Sequence, residues 1–181
     1  CGQLAGLLRG LHALPGRHVR LDLGERIARY EKLLRQVSRK LPPGLQRCGK
    51  PVQDLLNKVR SAPDSAVLCH NDLLAANRIL SGGRLWAVDW EYCAMGSRWY
   101  ELAVITAGDN MTAEESQVLV GAYLQRPPTD AELELLRACQ GIYRYLELLW
   151  YLAPDRKITA GPDLAGRLHA LEASLFSPGS W

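Results

Sequence analysis

Leu4, Leu7, Leu8 and Leu11 recur three and four residues apart, the spacing that lays one apolar stripe along a helix. The pattern predicts a helix over residues 2–14, ended by Pro15-Gly16. Ile27, Tyr30, Leu33, Leu34 and Val37 give a second amphipathic helix from about Asp22 to Leu41, with Pro42-Pro43-Gly44 as its stop. A shorter helix carrying Val52, Leu55, Leu56 and Val59 is predicted after Pro51, and Pro63 ends it.

The apolar run Ala66-Val67-Leu68-Cys69 then has the length of a buried strand. From His70 to Glu91 the helical period disappears. Two short apolar runs, Ile79-Leu80 and Leu85 to Val88, flank Gly82-Gly83, which predicts a tight hairpin turn. Helical spacing resumes from about Trp99 to Ala107 and again after two capping boxes, Thr112-x-x-Glu115 and Thr129-x-x-Glu132. The second box opens a long helix expected to end before Pro154. A last amphipathic segment from Pro162 carries Leu164, Leu168, Leu171 and Leu175, and the tail Ser177 to Trp181 is expected to fray. The fold class expected is α+β and predominantly helical, with a small β insertion between residues 66 and 90.

Composition narrows the reading. At 181 residues, 48% hydrophobic and 23% charged, the chain suits one compact domain and excludes disordered, collagen-like and disulfide-scaffold classes. The longest apolar stretch, Tyr143 to Ala153, is broken by Arg144 and Glu147, so no membrane span is expected. A net charge of +3 from scattered basic residues is weak support for a nucleic-acid partner, and none is expected. Five cysteines without a close pair fit reduced thiols and a cytoplasmic location. The opening Cys-Gly-Gln, running straight into a helical pattern, predicts a piece of something longer.

The β insertion holds the unusual polar residues. If Gly82-Gly83 is a two-residue turn, Ser81 pairs with Arg84 and the register carries Asn77 back opposite Val88. Asn77 and Asp89 then lie about 5 Å apart, one strand spacing. An amide oxygen and a carboxylate are hard ligands suited to Mg²⁺. Asp72, at the start of the loop that ends in Asn77, is placed to accept a hydroxyl proton near a metal-bound phosphate or to orient that hydroxyl for in-line attack. Capping of turns is the competing explanation for all three residues. His70 is as easily a structural residue tied to a backbone carbonyl as a chemical one, and Glu91 either supports the metal loop or is a solvated carboxylate.

His-x-Asp-x-x-x-x-Asn followed by a second Asp at the end of a hairpin is the catalytic-loop and metal-loop arrangement of protein kinases. Cys69-His70-Asn71-Asp72-Leu73 with Asn77, and Val88-Asp89-Trp90-Glu91-Tyr92 with Gly96 and Glu101-Leu102-Ala103, resemble the aminoglycoside phosphotransferase and choline kinase superfamily. The Asp-Trp-Glu-Tyr and Glu-Leu-Ala sequences are most similar to its thiamine kinase and choline kinase branches. Leu11-His12-x-Leu14-Pro15 resembles the helix after the interlobe hinge of that superfamily.

The resemblance implies the C-terminal lobe of a protein-kinase-like fold, with the hairpin carrying the catalytic and metal loops. It implies transfer of the γ-phosphoryl group of ATP to a hydroxyl of a small molecule of choline, ethanolamine, thiamine or aminoglycoside type. Asp72 would be the catalytic base or the residue that orients the hydroxyl, Asn77 and Asp89 would bind Mg²⁺, His70 would brace the loop and Glu101 would anchor it. Arg78 departs from the apolar residue usual after the Asn. No Gly-rich phosphate-covering loop precedes residue 69, and the early lysines, Lys32, Lys40, Lys50 and Lys58, lie in helical or linker text. The nucleotide is therefore expected to be shared with an N-terminal lobe absent from this chain, which alone would hold little activity.

The aromatic residues Trp90, Tyr92, Tyr143 and Trp150, with Glu147 between the last two on one helix face, are candidates for a cationic acceptor, against plain core packing. His12, His18 and His169 show no metal-ligand spacing. The alternative function is a kinase-like binding or regulatory module without phosphate transfer. Protein phosphorylation is disfavoured because Asp89 is followed by Trp-Glu and no Ala-Pro-Glu follows.

Overall fold

The computed structural model describes residues 1–16, 20–37, 40–63, 66–154 and 163–176. His18, Pro162 and the tail Ser177 to Trp181, all named above, lie outside them. The chain divides into two compact units, Cys1–Leu21 with Ala62–Gln140, and Asp22–Ser61 with Gly141–Trp181. The fold is predominantly helical, with two small antiparallel sheets, as the sequence predicts.

In the first unit, α1 (Gly2–His12) lays Leu4, Leu8 and Leu11 inward. It packs on α5 (Ala113–Leu124) and against two strands, β1 (Val67–Cys69) and β3 (Arg84–Ala87). Its end is pinned to α5 by Arg9 Nη1 donating to the Ala122 carbonyl at 2.6 Å and by His12 Nδ1 lying 2.7 Å from the Tyr123 hydroxyl. The helix stops two residues short of the expected Leu14: the Ala13 N–H still bonds the Arg9 carbonyl in the α pattern, and the Leu14 N–H tightens to the Leu11 carbonyl three residues back. α4 (Arg98–Gly108) is buried continuously from Trp99 to Ala107, so it is the spine of this unit. Both capping boxes form. Thr112 opens α5, and Thr129 and Glu132 bond reciprocally at the start of α6 (Asp130–Leu152).

The β region is more divided than expected. β2 (Arg78–Ser81) and β3 form a hairpin in the predicted register, Ser81 opposite Arg84. Gly82 and Gly83 take φ of +58° and +72°, the left-handed pair that a two-residue turn requires. β1 does not join this hairpin. It pairs with β4 (Ala94–Gly96), which lies beyond the expected limit of residue 90. A three-residue strand has too short an alternation to be read from the sequence, and its support is tertiary: Leu21 N–H also donates to the Met95 carbonyl.

In the second unit, α2 (Leu23–Gln36) is capped by Asp22, whose carboxylate accepts the Glu25 N–H, and it ends before the predicted Leu41. α3 (Pro43–Ser61) corrects a further expectation. Pro43 opens this helix, where a proline costs no hydrogen bond, and Pro51 lies inside it. Leu45, Cys48, Val52, Leu55 and Leu56 form one buried face across Pro51, and their burial outweighs the lost backbone bond. α3 packs on α7 (Leu164–Phe176) so closely that a Cβ at Gly44 would lie 2.7 Å from Leu168 Cδ2. Among the described residues no helix is long and apolar enough to cross a membrane.

Candidate active site

β1 delivers the chain into a loop from His70 to Leu74, and a single 3₁₀ turn (Ala75–Asn77) leads into the hairpin. The loop opens with a left-handed residue, Asn71, at φ +64°. Asn is among the few residues that adopt this conformation readily. The buried Asn71 amide donates to the Tyr92 carbonyl at 3.0 Å, tying the loop to the segment after the hairpin. The Asn71 backbone N–H donates to Glu101 Oε2 at 3.0 Å.

Glu101 is fully buried on α4, and burial pushes its carboxyl up to about 7 against the backbone N–H groups of Asn71 and His70, which favour the charged form. Behind it the ligand atoms of His12, Cys69 and Glu101 lie within 4.8 Å of one another, a grouping the sequence spacing does not foretell.

Asp72 and Asn77 meet directly. Asn77 Nδ2 donates to the Asp72 carbonyl at 2.8 Å and to Asp72 Oδ2 at 2.9 Å. Both bonds are donated by the Asn77 NH₂ group, and neither uses its amide oxygen. The predicted register is met: the Val88 N–H donates to the Asn77 carbonyl at 3.0 Å, so Asp89 follows immediately beyond the residue opposite Asn77. Asp89 is exposed and left-handed, at φ +64°. Burial raises the Asp72 pKa, the Asn77 hydrogen bond and His70 oppose this, and the charges of Asp89 and Glu91 add to it. The three carboxylates thus share one electrostatic neighbourhood. Glu91 is itself exposed.

His70 is wholly buried, with Nε2 2.9 Å from the Val88 carbonyl and the Trp90 ring tilted against it at 4.7 Å, 52° from coplanar. It ties the catalytic-loop candidate to the segment just beyond β3 that leads into Asp89. Trp90 is 41% exposed and donates from Nε1 to the Ala87 carbonyl. Tyr92 is half-buried.

The other acceptor candidates lie in the second unit. Tyr143 is buried and its hydroxyl donates to Glu147 Oε1 at 3.4 Å; Trp150 packs edge-on against Tyr151. Glu147 Oε2 pairs with Arg167 at 2.6 Å, and that guanidinium lies over the Tyr151 ring at 5.1 Å.

Sequence reasoning missed one contributor. Asp109, at the end of α4, accepts the Ala75 N–H at 3.0 Å and pairs with Arg78. Arg78 drew notice only as a departure from an apolar pattern, and Asp109 carried no signal.

The chain belongs to the phosphotransferase enzyme family, whose model matches residues 1–137. A LicA homolog from Mycoplasma capricolum is 30% identical over 99 residues, which is 55% of this chain and 38% of that protein. A choline/ethanolamine kinase family protein from Mesorhizobium loti superposes with a TM-score of 0.86 at 25% identity, covering 98% of this chain and 61% of that one. Choline kinase LicA from Streptococcus pneumoniae superposes at 0.82 with 22% identity, covering 98% and 63%. The fold is therefore that of the protein-kinase-like phosphotransferases, and the chain spans less than two thirds of these relatives' length.

Proposed function

We propose that this chain carries the catalytic and metal loops of an ATP-dependent phosphotransferase that moves the γ-phosphoryl group to the hydroxyl of a small molecule, with an amino alcohol of choline or ethanolamine type as the favoured acceptor. The observation that carries the reading is the double role of Asn77: its side-chain NH₂ holds Asp72 while its backbone carbonyl accepts the N–H of Val88, the residue before Asp89. The donor set fits Mg²⁺, because an amide oxygen and an exposed carboxylate are hard ligands. Bound there, Mg²⁺ would offset the charge of nucleotide phosphate oxygens.

Asp72 orients the acceptor hydroxyl and takes its proton as the new P–O bond forms and the bond to the β-phosphate oxygen breaks. Burial favours this role by raising the basicity of the carboxylate. His70 and Glu101 position the loop and do not touch substrate. Asn77 and Asp89 hold the metal, and Glu91 adds negative charge beside them. The phosphate-covering loop and phosphate-pairing Lys belong, in this reading, to a lobe outside the sequence. The likeness to a choline/ethanolamine kinase family protein supports the acceptor class.

The test is a transfer screen on the full-length protein with ATP and Mg²⁺ across choline, ethanolamine, thiamine, sugars and aminoglycosides, read by phosphorus NMR. A phosphomonoester on an amino alcohol is expected. Nucleotide hydrolysis at one rate with and without every acceptor contradicts the reading.

A further inference from the structure

We propose that Arg78 and Asp109 are a positioning pair that sets how tightly Asn77 holds a divalent cation; the inference rests on Asn77 being a metal ligand, as argued above. Asn77 ends the turn Ala75–Asn77, one turn too short to be rigid by itself. Its first amide, Ala75 N–H, donates to Asp109 Oδ1 at 3.0 Å, and the residue just past it, Arg78, places its guanidinium on Asp109 Oδ2. One carboxylate therefore grips the turn from both ends, with Asn77 between.

The grip is anchored. The Asp109 N–H donates to the Ile105 carbonyl at 2.9 Å, continuing the buried helix α4. Glu101, eight residues earlier on that helix, holds Asn71 at the start of the same loop. Eight residues of α-helix span about 12 Å, so α4 suspends the loop at two points, with Asp72 and Asn77 in the stretch between. The side chains of Arg78 and Asp109 are each only 12% exposed, so solvent screens the pair poorly and neither charge is well solvated if the other is lost.

The experiment measures Mn²⁺ affinity of the full-length protein, with nucleotide present, by electron paramagnetic resonance. Arg78→Met and Asp109→Asn should each weaken Mn²⁺ about tenfold or more, the usual cost of losing a group that orients a metal ligand. The double variant should lose less than the two single losses combined, because it leaves no unpaired charge. Arg78→Lys should recover part of the affinity and covers the case in which Arg78→Met does not fold. Arg47→Gln, which breaks the exposed pair with Glu172, should leave Mn²⁺ binding unchanged. Binding within twofold of wild type in Arg78→Met, Arg78→Lys and Asp109→Asn, while Asn77→Ala loses it, overturns the proposal alone. Unchanged binding in Asn77→Ala overturns the metal assignment itself, and the proposal with it.

Discussion

Asn77 donates its side-chain amide to both the backbone carbonyl and the carboxylate of Asp72, at 2.8 and 2.9 Å. A donor aimed at a carboxylate favours its charged form. Burial pulls the other way, and Asp89 and Glu91 reinforce burial, so the Asp72 pKa stands above the ordinary range despite Asn77. Removing the donor in Asn77→Ala should therefore raise it further, and Glu91→Gln should lower it. Carboxyl carbon NMR across a pH titration checks both. A downward shift in Asn77→Ala would show that the hydrogen bond does not govern Asp72.

Glu101 gives a pH dependence of stability with a definite sign. Its folded-state pKa of about 7 exceeds the ordinary value of 4.5. Between those values the folded state holds the proton more tightly than the unfolded state, so this group's contribution falls as pH rises from about 4.5 to 7. Glu101→Gln keeps an acceptor for the Asn71 N–H but cannot ionise. Its unfolding midpoint relative to wild type should thus rise between pH 5 and pH 8, measured by chemical denaturation. A relative midpoint that falls over this range would contradict the account.

The capping box of α5 is a local stability device in the same unit. Thr112 Oγ1 accepts the Glu115 N–H at 3.1 Å, and Glu115 Oε2 accepts the Thr112 N–H at 2.9 Å. Thr112→Ala should cost about 1 kcal/mol in denaturant titration and leave metal binding unchanged, because neither residue touches the loop.

The legible parts of this fold are those in which local chemistry decides. The hairpin register followed from Gly82-Gly83, and with it the placement of Asn77 opposite Val88. The capping boxes followed from Thr and Glu three residues apart. What escaped depended on distant partners. β4 exists because β1 and Leu21 pair with it, and Pro51 is tolerated because a buried face spans it. The tie from Asp109 to Ala75 and Arg78 joins residues more than thirty apart, and no spacing rule connects them.

The most direct measurement is steady-state kinetics of Asp72→Asn in the full-length protein, with nucleotide affinity determined separately. The amide keeps the shape but cannot take the hydroxyl proton. The account predicts kcat lower by about 10²- to 10⁴-fold with nucleotide affinity little changed. A wild-type kcat in Asp72→Asn would contradict it.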